Sequence, residues 1–157
     1  MHPGINGPKF KDKPAIIMAG SGEVITHQEL NELSNQGAQL FRSLGLKPGD
    51  SLAFMMENHK LFFPIAFAAY RSGLKYTAIS WRLQPSEVEY IVNDCNAKVF
   101  ITSKFLEESA KSLSESLQGV HKFMLDGSTD DFKSFETEIS KMPFSAIEDE
   151  CQGAAML

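Results

Sequence analysis

The stretch from Ser51 to Ile101 constrains this chain most. It reads SLAFMMENHKLFFPIAFAAYRSGLKYTAISWRLQPSEVEYIVNDCNAKVFI and alternates short apolar runs with helical patterns in the order strand, helix, strand, helix, strand. Each helical pattern returns the chain to a strand after roughly a dozen residues, the length that a right-handed crossover between parallel strands requires. Leu52 to Met56 is apolar on both faces, as expected for a strand in a sheet covered by helices on both sides. The spacing therefore predicts an α/β fold, a mainly parallel sheet flanked by helices through βαβ crossovers.

On either side of this unit the sequence supplies recognisable punctuation. Met1 to Lys13 is rich in Gly, Pro and Lys and reads as an extended arm. Two β-prone runs, Ala15 to Met18 and Glu23 to Ile25, flank Ala19-Gly20-Ser21-Gly22 and predict an N-terminal β-hairpin over residues 15–25. A glycine-rich phosphate cradle needs a helix directly after the glycines, and a strand-like run follows here, so this is a plain turn.

The α/β core is expected over residues 26–125. Thr26 with Glu29 forms the capping-box pattern of a helix start, and Leu30, Leu33, Gly37, Leu40, Phe41 and Leu44 recur at helical spacing up to Gly45. Asn58 is a candidate cap for the next helix, whose regular part is predicted to begin near Leu61, because Pro64 lacks an N–H and belongs in a first turn. Gly73 closes it, and Tyr76 to Ile79 is the next strand. Ser86 and Glu89 are the expected cap of the helix carrying Val88, Ile91, Val92 and Cys95, and Val99 to Thr102 is the strand after it. Phe105, Ala110, Leu113 and Leu117 predict an amphipathic helix, followed by a strand over Phe123 to Leu125.

Residues 126–157 carry a weaker signal. Phe132, Phe135 and Ile139 predict a short helix, Glu148-Asp149-Glu150 reads as a solvated tract, and Ala154 to Leu157 reads as a strand at which the chain stops.

Composition excludes several function classes. With 157 residues and 43% hydrophobic content, the chain should bury about 70% of its unfolded surface, enough for a core without staples. A net charge of -5 argues against a nucleic-acid partner, since sequence-independent affinity for phosphate backbones comes from Lys and Arg. Cys95 and Cys151 make neither a disulfide framework nor a paired zinc spacing, which fits a reducing cytoplasm. The first residues lack the apolar run of a secretory signal, and Leu61 to Tyr70 is about half the length of a membrane span.

No catalytic constellation is visible. His2, His27, His59 and His121 are scattered without metal-ligand spacing and read as surface or helix-end residues. The nucleophile-elbow and Walker patterns are absent, and Glu87 and Glu89 suit a helix face better than acid–base work.

The order of motifs, however, resembles the N-terminal region of the adenylate-forming (AMP-binding) acyl-CoA synthetases. That superfamily includes fatty-acyl-CoA and aryl-CoA ligases, luciferases and peptide-synthetase adenylation domains. The resemblance rests on Thr26-His27 to Leu30, Gly45 to Gly49-Asp50, Asn58, Ala68 to Gly73, and Arg82-Leu83 to Glu87, and it covers nearly the whole chain. His27 in place of an aromatic, Gln84 in place of a capping Ser or Thr, and Pro64 inside a helix are departures that bear on local geometry only.

The resemblance implies an N-terminal subdomain of the acyl-CoA synthetase fold. It also implies a parent enzyme that uses ATP and Mg to turn a carboxylate, a fatty acid, into an acyl-adenylate, and then CoA to form the thioester. The family's phosphate loop follows a strand in the position of Ala154 to Leu157, so the chain is expected to stop before it and to be inactive alone, binding none of these cofactors well. Arg82 matches the position from which an Arg reaches the nucleotide phosphate of CoA, a contact suited to guanidinium, whereas Trp81 beside it reads as a packing residue. The alternatives are a stand-alone α/β binding or interaction module derived from such a ligase, and an adenylation domain with a different acceptor. A sheet ending at an open edge is also expected to self-associate.

Overall fold

The computed structural model describes residues 3–156, and two sheets organise them. Strands β1 (Pro14–Ile17) and β2 (Val24–Thr26) pair antiparallel as the expected hairpin. The remaining strands are β3 (Ser51–Met55), β4 (Lys75–Ile79), β5 (Ala97–Ser103), β6 (His121–Leu125), β7 (Lys133–Ser134) and β8 (Ala154–Met156). They form one six-stranded sheet in the order β7-β6-β5-β3-β4-β8, and every neighbouring pair in it is parallel.

The helices are α1 (Pro3–Phe10), α2 (His27–Ser43), α3 (Phe62–Arg71), α4 (Pro85–Asp94), α5 (Glu107–Leu113) and α6 (Phe135–Ser140), with a 3₁₀ turn at Lys104–Leu106. From β3 the chain crosses through α3 to β4 on one side, then through α4 to β5 on the other side of β3. Right-handed crossovers in opposite directions put their helices on opposite faces. Leu52 and Phe54 of β3 accordingly face Ile65, Ala68, Leu40 and Phe41 of α3 and α2, while Ala53 and Met55 face Val88 and Val92 of α4. This explains why β3, buried at every position, reads as a continuous apolar run.

Local signals fix the ends of α2. The Thr26 hydroxyl accepts from the Glu29 N–H and the Glu29 carboxylate accepts from the Thr26 N–H, which completes the capping box. At the other end Gly45 sits at φ 84, the Gly45 N–H donates to the Arg42 carbonyl, and the Leu46 N–H donates to the Phe41 carbonyl. This doubly bonded stop needs a left-handed residue, hence the glycine.

Four expectations are corrected. Pro3–Phe10 is helical where an extended arm is expected, because its close packing along α2, with Phe10 against His27, outweighs poor propensity. The arm's Met1 and His2, and the Leu157 of the last strand, lie outside the described residues. Asn58 caps nothing: α3 starts at Phe62 with Pro64 in its first turn, and the His59 ring accepts the Leu61 N–H instead. The cap of α4 is Gln84, with Pro85 first in the helix and the Glu87 carboxylate accepting from the Gln84 N–H, two residues ahead of the expected Ser86 and Glu89.

Phe105 leaves the buried stripe. It lies in the 3₁₀ turn, out of phase with α5, and is 68% exposed while Ala110, Leu113 and Leu117 are buried.

The acidic tract Glu148-Asp149-Glu150 is exposed, as expected, and is in addition pinned to the body of the fold. Residues 142–150 run across α2, whose Asn35, Gln36 and Gln39 amides donate to the carbonyls of Phe144, Met142 and Ser145. Asp149 pairs with Arg42 at 3.0 Å and Glu150 with the buried Arg71, which leads the chain into β8 beside β4.

Candidate functional site

In an open parallel sheet, ligands bind outside the carboxyl ends of the strands, at the point where consecutive connections leave in opposite directions. Here that point lies at the ends of β3 and β5. The side chains gathered there are Glu57 just after β3, Ser103 at the end of β5, the loop Ser80 to Leu83 after β4, and Phe105 after β5. The buried Ser103 hydroxyl donates to the Glu57 carboxylate at 2.5 Å, which ties the two strand ends together.

Arg82 lies in this group, at the surface, with its guanidinium carbon 5.2 Å from the centre of the Trp81 ring. Trp81 in turn meets Phe105 edge to face, with ring centroids 5.9 Å apart. Trp81 is 40% exposed and packs between Phe105 and Arg82.

Lys104 and Lys111 both pair with Glu107, and these two cations hold the Glu107 carboxyl below the usual range. Among the described residues, no carboxylate forms an ion pair with Arg82, whose guanidinium lies over the Trp81 ring. Sequence reasoning singled out Arg82 as a candidate and placed Phe105 on a buried helix face, whereas Phe105 is exposed.

Two clefts lie elsewhere, around the hairpin. One, of about 560 Å³, is bounded by β2, α2 and α6; the other, of about 440 Å³, lies between the Ala19 to Ser21 turn and Asn58, His59, Lys60 and Asp126. Their ionisable groups are engaged in structure. Glu23 pairs with Lys60, which lowers the carboxyl and raises the ammonium; Glu29 caps α2; and Glu32 accepts from Gln28.

His59, Asp126 and Glu136 do converge, with donor atoms within 4.8 Å of one another. The Leu61 N–H donates to His59 Nδ1 at 3.1 Å, so the ring proton sits on Nε2 and points at Asp126 Oδ2, 3.1 Å away. Glu136 accepts from the Asp126 N–H. A metal would have to displace that proton, and we read the group as a hydrogen-bonded tie between loops. His59 is thus a half-buried structural histidine, whereas His121 is exposed as expected.

The family described as "AMP-binding enzyme" matches residues 6–152. A long-chain-fatty-acid–CoA ligase of Salmonella typhimurium is 37% identical over 100 residues, which are 62% of this chain and 17% of the relative. A fatty acid–[acyl-carrier-protein] ligase, ScoC of Streptomyces coeruleorubidus, is 30% identical over 95 residues, 60% of this chain and 17% of the relative. The chain therefore spans less than a fifth of the length of these curated relatives.

Among solved structures, the anthranilate CoA ligase AuaEII in complex with anthranoyl-AMP superposes with a TM-score of 0.84 at 21% identity, over 96% of this chain and 28% of that one. A long-chain-fatty-acid-CoA ligase from Archaeoglobus fulgidus gives 0.82 at 20% identity, over 96% and 31%. The solved structures share the fold, and the match over residues 6–152 shows that the chain belongs to the AMP-binding enzyme family.

Proposed function

We propose that this chain is the N-terminal subdomain, one unit over residues 1–157, of a cytoplasmic ATP-dependent ligase that activates a fatty acid as its acyl-adenylate and transfers it to CoA. The fatty acid is supported by the long-chain-fatty-acid ligase among the relatives, and CoA as acceptor by the unpaired Arg82 at the strand-end crevice. That arginine is the single observation that carries the reading: an exposed guanidinium with no carboxylate partner among the described residues suits the nucleotide phosphate of CoA. An acyl-carrier-protein acceptor, as in ScoC, is the second reading, and it favours the same anion-ready surface.

Family membership implies ATP and Mg in the parent enzyme, where they supply the electrophilic phosphate and offset its charge. The described residues include no phosphate-binding loop that fits them, so this chain's share is scaffold and CoA contact, and the 157 residues alone do not turn over. Self-association through the edge at β8 accompanies the isolated chain.

The test is fatty-acid-dependent pyrophosphate release. It is expected from the complete ligase carrying this region, together with CoA consumption, and not from the 157-residue chain. Release by the chain alone above a no-enzyme control contradicts the scaffold role, and failure of the complete enzyme to consume CoA favours a carrier-protein acceptor.

A further inference from the structure

We infer that the groove between β2, α2 and α6 is the seat of a basic, apolar segment of the parent ligase that lies outside this chain. The inference rests on the reading of the chain as one part of a longer ligase and adds a surface on which the rest of it docks.

The groove is built from regular stripes. Glu29, Glu32, Leu33 and Gln36 stand at i, i+3, i+4 and i+7 on α2, and Glu136, Ile139 and Ser140 at i, i+3 and i+4 on α6, so each helix turns one face to it. Val24 and Ile25 of β2, with Leu61 and Phe144, complete the cleft of about 560 Å³. Its apolar surface is not used up within the fold: Val24 is 47% exposed and Phe144 61%, although the Asn35 amide fixes the Phe144 carbonyl. Apolar side chains held in place beside a groove and left in water mark a contact surface.

The rim sets the charge of the occupant. Four carboxylates, Glu23, Glu29, Glu32 and Glu136, line the groove against one ammonium, Lys60, which pairs with Glu23. Glu29 accepts from the Thr26 N–H and hydroxyl, Glu32 from the Gln28 amide, and Glu136 from the Asp126 N–H and the Ser134 hydroxyl. These donors are neutral, and among the described residues no cation forms an ion pair with the three carboxylates. A fatty acid would suit the apolar walls but would bring one more carboxylate to an acidic rim. A segment that sets apolar side chains between lysines or arginines matches both features.

Length supplies the source. This chain covers 17% of the Salmonella long-chain ligase and 28% of AuaEII. A parent of that length tethers its remaining chain close to the groove, which favours docking from within over capture of a separate protein.

Thiol labelling of the complete ligase tests this. The Ser140 side chain is exposed and donates only to the Thr137 carbonyl of its own helix, so Ser140→Cys places a thiol on the α6 wall at little cost. Its maleimide rate, corrected for the cysteines of the unaltered ligase, is expected to be at least about 10-fold slower in the native than in the urea-unfolded enzyme, at every protein concentration. Glu32→Lys, which gives up only the Gln28 contact, is expected to speed native labelling about 5-fold, as for loss of one partly exposed ion pair. Phe144→Ala, which removes a ring already in water, is expected to act in the same direction.

Native labelling as fast as in the unfolded enzyme means an open groove and overturns the inference. Slow labelling that quickens on dilution assigns the cover to a second copy and overturns it too. Slow labelling that neither substitution alters overturns the basic, apolar character of the segment. Fatty-acid-dependent pyrophosphate release from the same samples reads the ligase assignment separately, so failure of the docking and failure of that assignment are told apart.

Discussion

Trp81 and Phe105 touch edge to face, 5.9 Å between centroids, although they follow strands that are not neighbours. Two strand spacings separate β4 from β5, roughly 10 Å, and the rings close that gap above the end of β3. With Ser103 bonded to Glu57 below them, they close one end of the sheet around its switch point.

The first prediction concerns the approach of α2 to α3. A Cβ on Gly37 would lie 2.7 Å from the Ala68 Cβ, closer than carbon atoms pack, and both positions are buried. Gly37→Val gains a few tenths of a kcal/mol of helix propensity, but overpacking costs about 1–3 kcal/mol, so packing wins. Urea denaturation should show the variant less stable by about 2 kcal/mol, and equal stability would mean that the helices separate freely.

The second concerns the strap over α2. Arg71, with its side chain 2% exposed, donates to Glu150, to the Asn31 carbonyl and side chain, and to the Ser34 hydroxyl. Arg71→Ala should cost about 3 kcal/mol by removing a buried charged node. Glu150→Gln should cost less, about 1–2 kcal/mol, since Asn31 and Ser34 still hold the guanidinium. In both variants hydrogen exchange should accelerate at Ala154 to Met156, and unchanged exchange there would show that β8 docks without the ion pair.

A third prediction isolates the start of α2. Thr26→Ala removes the hydroxyl that accepts the Glu29 N–H at 3.2 Å and should cost about 1 kcal/mol. Thr26→Ser keeps that acceptor and should match the unaltered protein in thermal melts.

Acid should weaken the fold. Lys60 holds the Glu23 carboxyl below its usual range, Lys98 does so for Asp50, Lys104 for Glu107 and Arg42 for Asp149. A carboxyl depressed in the folded state contributes stability that is present above its unfolded value, near about 4, and is lost as pH falls through the folded value. Urea midpoints should therefore decline below about pH 4, and Asp149→Asn should flatten the decline. A midpoint constant down to pH 2.5 would show that these pairs are too solvated to matter.

How much of this was legible in the sequence follows from the range of each interaction. Thr26 with Glu29, and Gly45 after Leu44, are settled within one helical turn, and the sequence alone located both. The two faces of β3 were equally readable, since burial on both sides leaves a continuous apolar run. Arg71 with Glu150 lies 79 positions apart, and nothing near Glu148-Asp149-Glu150 distinguishes a solvated tract from a strap pinned to a buried arginine. Phe105 was misread for a related reason: its helical phase depends on the 3₁₀ turn before α5, which residue types do not announce. Arg82 was singled out through its place in a motif, whereas its lack of a carboxylate partner among the described residues is a property of the fold.

The central claim is that the strand-end loop carrying Arg82 faces CoA. Its most direct test is Arg82→Ala in the complete ligase, with the KM for CoA and the rate of fatty-acyl-adenylate formation measured side by side. The account predicts a KM for CoA raised about tenfold or more, as for loss of a charge-assisted contact, with adenylate formation unchanged. An unchanged KM for CoA, or an equal loss in the adenylation step, would contradict it.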